Sequence, residues 1–414
     1  MKKLFFSLLA VVFFAACSDD DNAPQQLGPN YIDLSTESAT TFNEDSEVPV
    51  EVTVTLARPV GAPATVNIEL TNNEEGILAI DYPAVKFNVN EQVKTFKIVS
   101  NKKEALIEKR VIGVRVKDFS DPSMGTMQNG FDLTVNPAAN MPEITEGQSA
   151  LLDGYKENLG IDVRRMLGKL DCKVKVIYPK DEVGEEGETV FSKTEVQEYK
   201  TQSVVTLSDK STAEKPVLSM PDNALGLTSV FHKVLNKEIS ISNQVGTSYP
   251  SVAAVLKYDE KTETFAMSLD SLVIEDNGNI TFMKRFINEY DEQAHKIPFV
   301  FNYSAWERQL QMAKDSVLVD IIVKDPATGD IWYSAPETPM QDVIDNEGIT
   351  FNPYNFIAGS DPSVDGWETG IFKAPIAHYD FVNGTMSFRF CWDHSNSSDW
   401  TIIEVSYSLR PDSK

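Results

Sequence analysis

Four histidines, His232, His295, His378 and His394, are the first residues to weigh, because an imidazole can ligate zinc or move a proton near neutral pH. No two stand at the i, i+4 spacing of a helical metal site. No G-x-S-x-G elbow, Walker loop or dinucleotide fingerprint occurs either. The sequence therefore assigns no catalytic residue, no metal ligand and no cofactor. The segment CWDHSNSSDW, from Cys391 to Trp400, holds an Asp, a His and several Ser, but the members of a hydrolytic triad come from distant segments. It is read as a polar hairpin loop. The chain's 62 acidic residues offer so many carboxylate pairs that sequence alone cannot select the two a glycoside hydrolase would need, whose diagnostic separation is spatial.

Tryptophans give a sharper lead. An indole face matches the apolar face of a pyranose ring, while neighbouring amides and carboxylates take its hydroxyls. Trp367 lies in the loop SDPSVDGWETG, between Gly366 and Gly370, and is the preferred platform because loops carry binding residues. Trp392 and Trp400, flanking the polar loop, complete the set expected to bind carbohydrate. Trp306 and Trp332 have the periodicity of core residues, and Tyr333 and Tyr354 are assigned to neither set. Cys172 and Cys391 both sit in apolar, strand-like segments. They read either as a disulfide in an oxidising compartment or as two separate buried thiols.

The elements that must position these residues are mostly strands. From Val48 the chain alternates with period two through VPVEVTVTL, ATVNIEL, AVKFNV, VKTFKIVS, RVIGVRVKDF and FDLTVNP. Six or seven short strands separated by turn clusters predict an Ig-like β-sandwich over residues 31–137. NPAANMP, from Asn136 to Pro142, reads as the domain boundary. Residues 142–414 follow as a larger β-rich region, with a division near 300 if it forms two subdomains. Loosely helical spacing marks Gln148 to Leu170. KVKVIY, SVVTLS, KEISIS, SVAAVLKY and TFAMSL read as strands. Asn277-Gly278, Pro326 to Gly329 and Asn383-Gly384 read as hairpin turns. Ser304 and Glu307 have capping-box spacing before SAWERQLQMAK, and MQDVID follows a Thr-Pro start. The fold class expected is all-β, mainly antiparallel, with a few short helices.

The first residues address the chain. Lys2 and Lys3, the apolar run from Leu4 to Phe14, and Ala15-Ala16 make a leader over residues 1–16, too short to span a bilayer. FAAC resembles the lipobox of bacterial lipoproteins, which implies lipidation of Cys17 and a tether over residues 17–30. Ser18, Asp19, Asp20, Asp21 and Asn22 resemble the acidic stretch of surface-exported lipoproteins in Bacteroides-like bacteria, which implies an outer-membrane anchor facing outward. Composition agrees with an acidic ectodomain. The formal charge of −25 becomes −27 once Lys2 and Lys3 leave with the leader, a field that repels nucleic acid.

Two further resemblances follow from the body of the chain. The stretch from EVTVTLARPVGAPATVNIEL to VIGVRV is similar to a Calx-β-type domain, with Asp81-Tyr82 at its Asp-Tyr position and Glu104 and Glu108 in its acidic loop. Lys102 and Lys103 oppose the calcium that such a loop can hold, so the fold is carried over and the metal is not. The layout of residues 141–414 resembles the β-rich regions of surface lipoproteins found beside starch-utilisation-type uptake systems. That resemblance implies noncatalytic glycan binding. A structural or adhesive protein with a protein partner is the alternative, and a glycoside hydrolase the third reading.

Overall fold

The structure, a computed structural model, describes residues 28–141, 143–178, 193–282, 297–357, 375–392 and 401–411. Cys17, His295, Trp367, His394 and Trp400 lie outside the described residues.

Ten strands precede Asn136 among the described residues: β1 (Asn30–Ser35), β2 (Thr41–Asn43), β3 (Val50–Leu56), β4 (Ala64–Thr71), β5 (Leu78–Ile80), β6 (Ala84–Phe87), β7 (Val93–Ser100), β8 (Arg110–Phe119), β9 (Met124–Thr126) and β10 (Gly130–Asn136). They pair into two five-stranded sheets, ordered β5-β7-β3-β1-β9 and β2-β10-β8-β4-β6. The period-two alternation decides their faces. Val50, Val52, Val54 and Leu56 of β3 point inward, against Val66 and Ile68 of β4 and Ile112 and Val114 of β8, in a core separate from that of the residues that follow.

The second part opens with a helix, α1 (Glu146–Gly154), whose N-cap Thr145 and Gln148 form a reciprocal capping box. Strands β11 (Gly168–Tyr178), β12 (Glu195–Leu207) and β13 (Val217–Asp222) are followed by helices α2 (Thr228–Ser242) and α3 (Tyr249–Leu256). Then come β14 (Phe265–Ile274), β15 (Ile280–Phe282), β16 (Phe299–Tyr303), α4 (Ser304–Lys314), and a separate two-stranded ribbon of β17 (Leu318–Lys324) and β18 (Ile331–Pro339). Short helices α5 (Met340–Asp345) and α6 (Pro353–Phe356) lead to β19 (Ile376–Asp380), β20 (Thr385–Trp392) and β21 (Thr401–Ser408). The large sheet is antiparallel and runs β15-β14-β13-β12-β11-β21-β20-β19, with β16 paired to β14.

This sheet curls until its two edges meet. Asn279, beside β15, bridges to His378 of β19; Tyr379 N donates to Gly278 O at 2.8 Å; and His378 Nδ1 lies 2.8 Å from Asn279 Oδ1. The contact covers part of the edge that a sheet of this width would otherwise present, and the Tyr354 hydroxyl meets the outer side of β16 at Phe299 O and Phe301 N. The inner face packs on α2, whose Phe231 ring stands 4.6 Å from that of Trp392.

Two segments read as strands are helical. KEISIS is the end of α2 and SVAAVLKY falls largely in α3. KEISIS alternates over six residues, but the buried positions of α2 are Val230, Phe231, Val234, Leu235, Glu238 and Ile239, a helical stripe that only a longer window shows. The capping box expected at Ser304 is not formed either. Tyr303 is the N-cap, and the Ser304 hydroxyl donates to Glu263 instead.

The two parts are joined through the loop after β7. Glu104 pairs with Lys169, Glu108 lies 3.3 Å from Arg164, and Arg410 donates to Ala105 O and, at 2.7 Å, to Leu167 O. The acids of that loop thus face cations of the following domain. Gly168 permits the approach: its φ is +97°, and a Cβ there would fall 2.2 Å from Arg410 Nη2 and 2.8 Å from Ile107 Cγ2.

Candidate functional site

The ribbon of β17 and β18 is anchored on one strand and open on the other. Val319 and Ile321 of β17 are buried, and the Ser251 hydroxyl of α3 bonds both Ile322 N, at 2.9 Å, and Ile322 O, at 3.1 Å. Strand β18 carries Ile331, Trp332, Tyr333 and Ser334 exposed in succession. A bulge interrupts the pairing here: Tyr333 faces Val323 and Ile331 faces Lys324, so Trp332 is the extra residue between them.

The turn between the strands is built around Asp325. Asp325 Oδ1 accepts from Ala327 N at 2.7 Å and Thr328 N at 3.1 Å, while Gly329 N donates to Asp325 O at 2.9 Å. This is an Asx turn, with Gly329 at φ +77° where a side chain would be strained. The backbone N–H groups of Ala327 and Thr328 hold the Asp325 carboxyl below its ordinary value. Trp332, three residues beyond the turn, stays 62% exposed. Nearby, the Tyr333 hydroxyl donates to Glu347 Oε1 at 3.4 Å. An indole ring exposed to water near a hairpin tip can stack on a flat apolar face.

The expected aromatic set is thus rearranged. Trp392 is fully buried: its indole N–H donates to Ile357 O, and its ring packs on Phe231. It is a core residue, which corrects its reading as a carbohydrate platform. Trp332 is the converse, exposed where periodicity read core. Trp306 is partly buried against the core, as expected. The signal that could have found Trp332 was the turn: a hairpin tip with Asp325, Gly329 and Asp330 leaves the first residues of the returning strand beyond the core.

Cys172 and Cys391 are both buried and are not joined in a disulfide. The register explains why the disulfide reading fails. Cys172 pairs with Tyr407 on β21 and Cys391 with Ile402, so the two are separated by β21 and by five residues along it, far beyond the ~7 Å that a disulfide spans between Cα atoms. Burial, against hydrogen bonds from Ser203 and Tyr407, pushes the Cys172 thiol up to about 11.

Of the described histidines, His378 lies at the sheet's seam and His232 stacks on Phe265 with ring centroids 5.4 Å apart, its pKa lowered by burial. Among the described residues no group of three or more His, Cys, Asp or Glu is placed to hold a metal ion. No described helix is long and apolar enough to cross a membrane.

Residues 142–408 match the family described as a domain of unknown function, DUF8472. The chain belongs to the DUF8472 family. In this DUF8472 protein, residues 27–140 match a second domain of unknown function, DUF4929, so the two matches meet at the NPAANMP segment. The ribbon and the closed sheet both belong to the DUF8472 part. No curated protein matches the chain. Among solved structures, the E. coli chaperone DraB aligns at 13% identity and a TM-score of 0.20, over 42% of this chain and 90% of its own. The calcium binding domain CBD12 of CALX1.1 aligns at 12% identity and 0.20, over 50% and 88%. A Bacteroides ovatus protein of unknown function aligns at 4% identity and 0.18, over 92% and 95%. Scores this low carry no argument about the DUF8472 fold.

Proposed function

We propose that the chain is a noncatalytic glycan-binding protein, lipid-anchored through Cys17 at the outer surface of a bacterial cell, with Trp332 as its sugar platform. The supporting observation is the side chain of Trp332, held out in water on the open strand of a two-stranded ribbon. The leader and the FAAC segment support the anchor, and the sandwich spanning residues 31–137 sets the ribbon-bearing part away from the tether.

The exposed run Ile331-Trp332-Tyr333 also suits a protein partner, since an apolar strand at the edge of a two-stranded ribbon can accept another strand. Affinity electrophoresis of the purified protein against a panel of neutral polysaccharides, with Trp332→Ala alongside, separates the readings. Retardation by a glycan, lost in the variant, supports sugar binding. Absence of retardation across the panel sinks it and leaves adhesion to a protein as the better account.

A further inference from the structure

A recess of ≈ 640 Å³ lies on the outer face of the large sheet, opposite the side packed on α2. Its floor is two rows of side chains set by the strand register. One row runs Glu198, Lys175, Glu404, Arg389 across β12, β11, β21 and β20. The next row runs Lys200, Lys173, Ser406, Ser387 across the same strands.

The rows differ in how their charges are met. In the first, Glu404 lies 3.4 Å from Lys175 and 3.5 Å from Arg389, so its cations already share a carboxylate. In the second, Lys173 and Lys200 are direct cross-strand partners, and both are exposed. Among the described residues neither has an ion-pair or hydrogen-bond partner. Like charges directly opposite one another in an antiparallel pair destabilise the sheet, with Cβ atoms only ~5 Å apart. In a chain of charge −25, carboxylates to neutralise them are plentiful, yet the strands place serines beside them.

We infer that this outer sheet face is a second binding site, for an oligosaccharide that carries carboxylate or sulfate groups, with Lys173 and Lys200 taking the anion. The Ser406 and Ser387 hydroxyls lie beside the anion position, where they can bond the sugar's hydroxyls. Glu198 and Glu404, one row along, accept from further hydroxyls and repel a ligand charged at every unit. That mixture suits a sparse anion on a hydroxyl-rich chain better than a nucleic acid or polyphosphate. The apolar side chain of Ile376, paired to Arg389 and 44% exposed, borders the recess and can meet a ring face. The inference takes its ligand class from the glycan reading but does not depend on the Trp332 platform.

The test is affinity electrophoresis of the purified protein in gels carrying polygalacturonate, dextran sulfate or a neutral polysaccharide that retards it, with the variants Lys173→Gln/Lys200→Gln and Trp332→Ala. Cosedimentation with phosphatidylglycerol vesicles is run in parallel. The expected result is retardation by at least one anionic polysaccharide, weakened by salt. In the double lysine variant it falls about tenfold or more, as loss of charge-assisted bonds implies, and in Trp332→Ala it is retained. Retardation unchanged by the lysine substitutions overturns the inference, as does binding to vesicles without binding to either anionic polysaccharide. Neutral-glycan binding that depends on Trp332, with no anionic arm, also overturns it while leaving the proposed function standing.

Discussion

Arg308 of α4 lays both terminal nitrogens of its guanidinium on the Glu263 carboxylate, Nη1 to Oε2 at 2.9 Å and Nη2 to Oε1 at 2.5 Å. Its Nε donates to Leu256 O at 3.2 Å. The Glu263 side chain is only 2% exposed and also accepts from the Ser304 hydroxyl, so this bidentate pair fastens α4 to the segment between α3 and β14. Removing the arginine leaves a buried carboxylate without its cation. Arg308→Met is expected to cost about 2–3 kcal/mol, the lower end for a buried pair because the arginine is partly in water. Urea denaturation of the two proteins at pH 7 measures it. A cost below ~0.5 kcal/mol would contradict the placement of the pair.

The same pair has a pH signature. Burial alone would raise the Glu263 pKa, but the bonds from Arg308 and Ser304 outweigh it and hold the carboxyl below its ordinary value of 4.5. A depressed carboxyl pKa stabilises the fold fully above the unfolded value, and that contribution is lost as pH falls through the folded value. The stability gap between the native protein and Arg308→Met is therefore expected to be complete at pH 7 and to shrink below pH 4.5. Denaturation midpoints at pH 7, 5 and 3.5 test this, and a constant gap would contradict it.

Two tryptophans of equal size should respond in opposite ways. Trp392→Ala opens a cavity against Phe231 and leaves Ile357 O without its donor, for an expected loss of about 3–5 kcal/mol. Trp332→Ala removes a ring that is mostly in water and should change stability by about 0.5 kcal/mol or less. Thermal melts of both variants decide it; equal losses would contradict the assignment of core and surface.

Cys172 and Cys391 are buried and not joined in a disulfide, and the thiol of Cys172 is pushed up to about 11, so at pH 8 it stays protonated. A thiol reagent at pH 8 should leave both unmodified in the folded protein and modify both in guanidinium. Rapid labelling of either in the native state would contradict their burial.

Much of the fold was legible because strands announce themselves locally. The alternation in β3, β4 and β7, and the turns at Asn277-Gly278, Pro326 to Gly329 and Asn383-Gly384, all appear where the sequence reading put them. Long-range relationships were not legible. Nothing local in Asn279 or His378 signals that they close the sheet's seam. KEISIS carries two periods at once, and the distant surfaces that bury Phe231 and Leu235 chose the helical one. The site suffered most, since exposure of a tryptophan depends on what packs over it. Trp392 follows a strand into the core, whereas Trp332 stands where a two-stranded ribbon has no covering layer.

The most direct test of the central claim compares Trp332→Phe and Trp332→Ala with the native protein, by dissociation constant for a neutral polysaccharide that retards it. The account predicts that Phe, which keeps a stacking face, weakens binding less. Trp332→Ala, which removes the stacking face, should abolish it. Native-like binding by Trp332→Ala would contradict the claim that this ring is the sugar platform.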